Sequence, residues 1–170
     1  MKTLGIAGWS GSGKTTLVLK LIPALRQRGV SVSTVKHAHH NFDVDKPGKD
    51  SWEHRQAGAR EVLVASGRRW ALMRELREEA EPPLAELLAR LSPVDLVLVE
   101  GYKREPHPKL VVHRATVEAA ALWPDDPDVV AVACDGKTAE RVRADGLPAL
   151  DLDDPDAIAD FIVERLELRV

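Results

Sequence analysis

The chain has 170 residues, enough for one domain with a real core. Its formal net charge of -3 excludes a global basic field of the kind that draws nucleic acid, and its single cysteine, Cys134, excludes an intrachain disulfide and argues against a thiolate zinc centre. No apolar run is long enough for a membrane span, and glycine and lysine enter the N-terminal stretch too early for a secretion signal, so a cytoplasmic protein is expected.

Taken in chain order, "TLGIAG" (3–8) is a short apolar run ending in glycine and reads as a buried strand. From Lys14 to Arg28 the residues Leu17, Val18, Leu21, Ile22 and Leu25 recur at three and four, which predicts a helix kinked at Pro23 and stopped at Gly29. "VSVSTVK" (30–36) alternates and predicts a second strand. Ser51 is expected to cap a helix through Ala57. "EVLVA" and "RRWALMREL" predict a hairpin turning at Ser66-Gly67, placed at a sheet edge, and Pro82-Pro83 opens a helix to about Arg90. "VDLVLVEG" is the most apolar strand candidate; "PKLVVHRA" and "DVVAVAC" follow, with "LWPDDPD" (122–128) as a surface loop. "DDPDAIADFIVERL" predicts a capped C-terminal helix. Strands alternating with helices imply an α/β fold: a mostly parallel sheet flanked by helices, with an added antiparallel hairpin, in one domain over residues 1–170.

"GWSGSGKT", Gly8 to Thr15, fits the phosphate-binding pattern G-x-x-x-x-G-K-[ST], and it stands where that pattern must, between a strand and a helix. Gly8, Gly11 and Gly13, with Ser10 and Ser12 between them, let the backbone curl so that successive N–H groups face phosphate oxygens. The helix that follows adds its positive end. Lys14 is expected on the outer phosphates, the Thr15 hydroxyl on Mg2+ and Thr16 on an inner phosphate.

Such a loop needs an acid at the end of a second strand. Asp95 and Glu100 bracket "DLVLVE", but ligands sit at the carboxyl ends of parallel strands. Asp95 lies five residues back, about 16 Å at roughly 3.3 Å per residue. Geometry therefore selects Glu100 for the metal and leaves Asp95 to turn the chain.

"KHAHHNFDVDKPGKD" (36–50) holds three histidines and three aspartates in fifteen residues. Three readings stay open: a transition-metal site built on His37, His39 and His40, acid and base groups (His37, Asp45, Asp50) around an Mg-nucleotide or anionic partner, or a structural polar loop. "GYKREPHPK" (101–109) is basic. Lys103, Arg104 and Lys109 suit a lid over phosphates, a solvated loop or, with Arg68 and Arg69, a surface for an anionic pterin phosphate or acidic partner.

"TVKHAHHNFDVDKPGKDSWEHRQAGA" (34–59), together with "GWSGSGKTT" and "DLVLVEGYK", closely resembles the MobB family of molybdopterin-guanine dinucleotide biosynthesis adapter proteins. The resemblance runs from Gly5 to about Arg114. It implies a P-loop NTPase fold that binds GTP with Mg2+ and hydrolyses it weakly, a homodimer, and a partner nucleotidyltransferase that joins GMP to molybdopterin, with molybdopterin itself a candidate ligand. It places Gly11, Gly13, Lys14, Thr15 and Thr16 on phosphate, matches Glu100 to the acid ending the apolar strand, and puts His37, Asp45, Lys49 and Asp50 in the characteristic loop. The N-K-x-D stretch by which many GTP-binding proteins choose guanine is absent, and Asp135 of "CDGK" is the nearest candidate by position, either as a guanine acceptor or as a turn residue. A metallochaperone GTPase and a small-molecule phosphotransferase are the alternative functions.

Overall fold

Apolar side chains on both faces determine which strands form the centre of the sheet. In β5 (Leu96–Glu100) and β6 (Lys109–His113) every residue but the last is buried, as parallel strands covered by helices require. The computed structural model describes residues 1–38 and 42–169, and forms two compact units, residues 1–37 with 87–170, and residues 38–86. His39 and His40 of the histidine loop lie outside the described residues. No described helix is long and apolar enough to cross a membrane.

The larger unit is a six-stranded parallel sheet in the order β2-β5-β1-β6-β7-β8, with β1 at Lys2–Ala7, β2 at Val32–Lys36, β7 at Val129–Cys134 and β8 at Ala149–Asp151. Side chains alternate between its faces. Leu110 and Val112 of β6 join Leu17, Leu21 and Leu25 of α1 (Lys14–Gln27) and Ile158 and Ile162 of α5 (Pro155–Arg165) in one apolar cluster. Val111 faces a second cluster with Ala7, Trp123, Val132 and Val142.

Helix α1 runs unbroken through Pro23. It ends as Gly29 predicts: at φ 79°, Gly29 donates to the Arg26 carbonyl and Val30 to that of Leu25, both at 3.1 Å, the paired bonds of a Schellman stop. Val30 is buried in that cap, so β2 starts two residues later than its alternation suggests. The "LWPDDPD" loop is anchored by Trp123, only 3% exposed, whose indole N–H donates to Asp145 at 2.8 Å. Lys109 belongs to no basic lid. Its side chain is 2% exposed and its ammonium pairs with Asp126 at 3.0 Å and Asp128 at 3.4 Å.

The smaller unit carries α2 (Asp50–Gln56) and a separate two-stranded sheet, β3 (Glu61–Ala65) with β4 (Trp70–Arg74), so the hairpin is not an edge of the main sheet. Ser66 and Arg69 close its turn at 2.9 Å. The expected Ser51 cap is absent: Lys49 occupies the cap position without a side-chain bond, and Ser51 instead donates to Asp45 at 2.8 Å. Helix α3 is shorter than Pro82-Pro83 promises, at Leu84–Leu88. Helix α4 (Gly136–Ala144) and β8 were unforeseen, because α4 buries only Thr138 and Val142 and β8 is three residues long.

His107 buries both ring nitrogens with no hydrogen-bond partner among the described residues. Burial and the nearby Lys109 charge hold its pKa below the usual value. His113 is lowered too, chiefly by burial. The unfolded chain binds protons at about 6.5 while the folded one resists them. Stability is therefore full above that pH and falls as pH drops toward the depressed folded value. We expect the denaturation midpoint to fall between pH 7.5 and 5.5 and His107→Leu to flatten that slope. An unchanged slope in the variant would exclude His107 as its source.

Candidate functional site

Strand register assembles the site. Glu100 pairs with Ile6 of β1 on one side and Lys36 of β2 on the other, at the carboxyl edge where β1 runs into the glycine-rich loop. Thr15, in the first turn of α1, donates to the Glu100 carboxylate at 2.9 Å, and Lys36 approaches it at 3.6 Å. Gly101 follows at φ 100°, and a Cβ there would lie 2.7 Å from that of His37, so only glycine lets β5 and the end of β2 approach this closely. Asp95 binds instead at the opposite end of β5, accepting from the Ser31 N–H at 2.8 Å and from its hydroxyl.

The loop has the curl its glycines predict, with φ of 154° at Gly8, 79° at Gly11 and 101° at Gly13. Helix α1 opens at Gly13 with no side-chain cap and no acid in its first turn. Its first N–H groups are thus an uncompensated donor set of the kind that receives phosphate. Lys14 donates to the carbonyls of Gly8 at 2.9 Å and Trp9 at 2.8 Å, which uses two of the three ammonium protons. Burial lowers its pKa; Glu100 opposes that shift, while Lys103 and Lys36 add to it. An anion would relieve this crowding of positive charge. The Ser12 hydroxyl is buried with no partner among the described residues, whereas Ser10, Thr15 and Thr16 are exposed.

Thr15 and Glu100 suit Mg2+, since a hydroxyl and a carboxylate oxygen already 2.9 Å apart are hard donors facing the phosphate loop. The ion, bound with nucleotide, would neutralise phosphate charge. Glu100→Gln should reduce the affinity gained on adding Mg2+ by about tenfold, one charge-assisted contact, with less effect on metal-free nucleotide binding. Equal losses with and without metal in calorimetry would remove Glu100 from the metal site.

The remaining candidates divide. His37 sits at the end of β2, its N–H on the Glu100 carbonyl at 2.9 Å and its ring 4.8 Å from that of Tyr102. Asp45 and Asp50 belong to the smaller unit. Asp45 is structurally engaged there, accepting from Lys46 and Ser51 and pairing with Arg55 at 3.4 Å; Arg55 also holds Asp43 and Glu75. Asp50 opens α2, where its charge suits the helix terminus. Asp135 caps α4 through Thr138 and accepts from the Ala115 N–H at 2.7 Å. Burial works against its ionisation, but those bonds prevail and keep its pKa below the ordinary range. A guanine would have to share an acceptor that already serves the start of α4 and the turn after β6. No described group of three or more His, Cys, Asp or Glu side chains could hold a metal.

One neighbour of the loop escaped sequence reasoning. Arg114, just after β6, lies so close to Gly13 that a Cβ there would be 3.4 Å from its Nε. The available signal was its place after the carboxyl end of a parallel strand.

A family model described as molybdopterin guanine dinucleotide synthesis protein B matches residues 3–135. The chain is 46% identical to the molybdopterin-guanine dinucleotide biosynthesis adapter protein of Escherichia coli (strain K12), covering 96% of this chain and 93% of that protein. It is 44% identical to the Haemophilus influenzae protein of the same name, over 94% and 86% of the two chains. A crystal structure of molybdopterin-guanine biosynthesis protein B superposes with a TM-score of 0.69 at 32% identity, covering 96% of this chain and 99% of that one. A MobB homolog from Bacillus stearothermophilus does so at 0.70 and 29%, over 99% and 100%. Matched along nearly its whole length in sequence and in fold, the chain belongs to the MobB family.

Proposed function

We propose that this protein is a GTP-binding adapter of molybdopterin guanine dinucleotide biosynthesis. It would assist a nucleotidyltransferase that attaches GMP to molybdopterin, work in the cytoplasm, and hydrolyse GTP slowly with Mg2+. The observation that carries the reading is the phosphate loop joined to a strand-end acid by the Thr15–Glu100 bond. The names of its relatives supply the pathway. Gly8, Ser10, Gly11, Ser12, Gly13, Lys14, Thr15 and Thr16 would cradle the phosphates. His37, Asp45 and Asp50 are the candidates for a general base, and turnover is expected to be slow: P-loop GTPases without a partner can run below about 10⁻³ per second. A reconstituted reaction tests the adapter role. GMP attachment by the partner enzyme should rise on adding this protein with GTP, and less on adding Lys14→Ala at the same subsaturating GTP. No stimulation by the parent protein would refute it.

The protein is expected to work as a homodimer joined through the hairpin. Leu63, Leu72 and Trp70 fall on one face of β3–β4 by register and are 61%, 44% and 69% exposed. Apolar area of this kind marks an interface. Light scattering should give a dimer, and Leu63→Glu with Trp70→Glu a monomer. A monomeric parent at high concentration would contradict the pairing.

A further inference from the structure

A cleft of about 270 Å³ opens beside the phosphate loop in the larger unit. Its floor is apolar, formed by Ala7 and Val111 of the second core cluster with Leu122. It therefore lies toward the face of the sheet opposite α1, away from the helix terminus that would hold nucleotide phosphates. One wall is Trp9. The indole N–H donates to the Ala120 carbonyl at 2.7 Å, which fixes the plane of the ring. Lys103 lies over that ring, its ammonium 4.0 Å from the centroid, and Arg104 stands beside it. Asp125 is exposed at the rim.

Each feature selects chemistry. A pinned indole offers a stacking face. Two cations at its border bind an anionic substituent, and the one now lying on the ring can move onto the ligand's charge. A carboxylate at the rim accepts from amino and ring N–H donors. The volume lies at the small end for ligand sites, which suits a bicyclic ring with one short substituent and excludes a dinucleotide. We propose that this cleft is a second ligand site, separate from the nucleotide, for a flat 2-amino-4-oxo heterocycle of the pterin class, stacked on Trp9 with its anionic group on Lys103 and Arg104. The choice of pterin rests on the function proposed above; the flat, anionic character rests on the cleft alone.

Pterin-6-carboxylate, which is fluorescent, is the probe. Titrated with the full-length protein it should be quenched saturably, and saturating GDP with Mg2+ should leave its affinity within about twofold, as independent sites require. Leu122→Trp fills the cleft and should abolish quenching while GDP still binds in calorimetry. Arg104→Ala, at an exposed position, should weaken the probe about tenfold more than GDP, through a lost charge-assisted contact. Displacement of the probe by GDP, or equal quenching in both variants and parent, would overturn the proposal. A protein that binds GDP but not the probe refutes the cleft alone. One that binds the probe but not GDP supports the cleft and refutes the nucleotide reading.

Discussion

Lys14→Ala will weaken GTP binding by roughly 2–3 kcal/mol, about 30- to 150-fold in Kd. The ammonium performs two tasks. It ties down the loop carbonyls of Gly8 and Trp9 at 2.9 and 2.8 Å, and it presents positive charge to the phosphates. Alanine removes both, while α1 keeps its N-terminal donors, so binding should weaken sharply without vanishing. Because Lys14 is only partly buried, the fold should survive and the denaturation midpoint should move little. Calorimetry with GTP and a parallel denaturation curve separate the two effects. Unchanged affinity would remove the loop from the nucleotide site.

Gly8→Ala should act on fold and site together. An added Cβ would sit 2.5 Å from the Val112 carbonyl oxygen and 2.6 Å from the Ser12 hydroxyl, at a φ of 154° that only glycine adopts readily. The carbonyl belongs to a central strand and cannot yield, so the loop must shift. A loss of about 2–3 kcal/mol follows from overpacking of this kind, with nucleotide affinity falling as well. Gly11 is the control: nothing lies within 4 Å of a Cβ there, and its φ of 79° leaves only left-handed strain. That strain costs about 1–2 kcal/mol. If Gly8→Ala destabilised no more than Gly11→Ala, the close approach to Val112 would carry no weight.

The legible parts of this protein are those in which one-dimensional spacing is itself the chemistry. The phosphate loop is local, so its glycines, lysine and threonine can be read along the chain. Glu100 was selected over Asp95 by strand length alone, and the Thr15–Glu100 bond agrees with that geometry. What was hidden depends on distant partners. Lys109 looked like part of a basic surface, but its strand position turns it inward onto Asp126 and Asp128. Trp123 looked like loop and is core, because Asp145, far along the chain, takes its N–H. Asp135, open in sequence between a guanine acceptor and a turn residue, caps a helix whose sparse apolar face gives no periodic signal. Arg114 reaches Gly13 only through the packing of β6 beside β1.

Binding of a guanine nucleotide with Mg2+ by the Gly8–Thr16 loop carries the proposed function. Calorimetric titration of GTP, and separately of ATP, into the protein with Mg2+ tests it directly, with tryptophan fluorescence as a second readout because Trp9 lies inside the loop. Saturable GTP binding, weaker ATP binding, and a shift of both signals to about 30- to 150-fold higher nucleotide concentration in Lys14→Ala are expected. Binding of neither nucleotide, or ATP held more tightly than GTP, would contradict it.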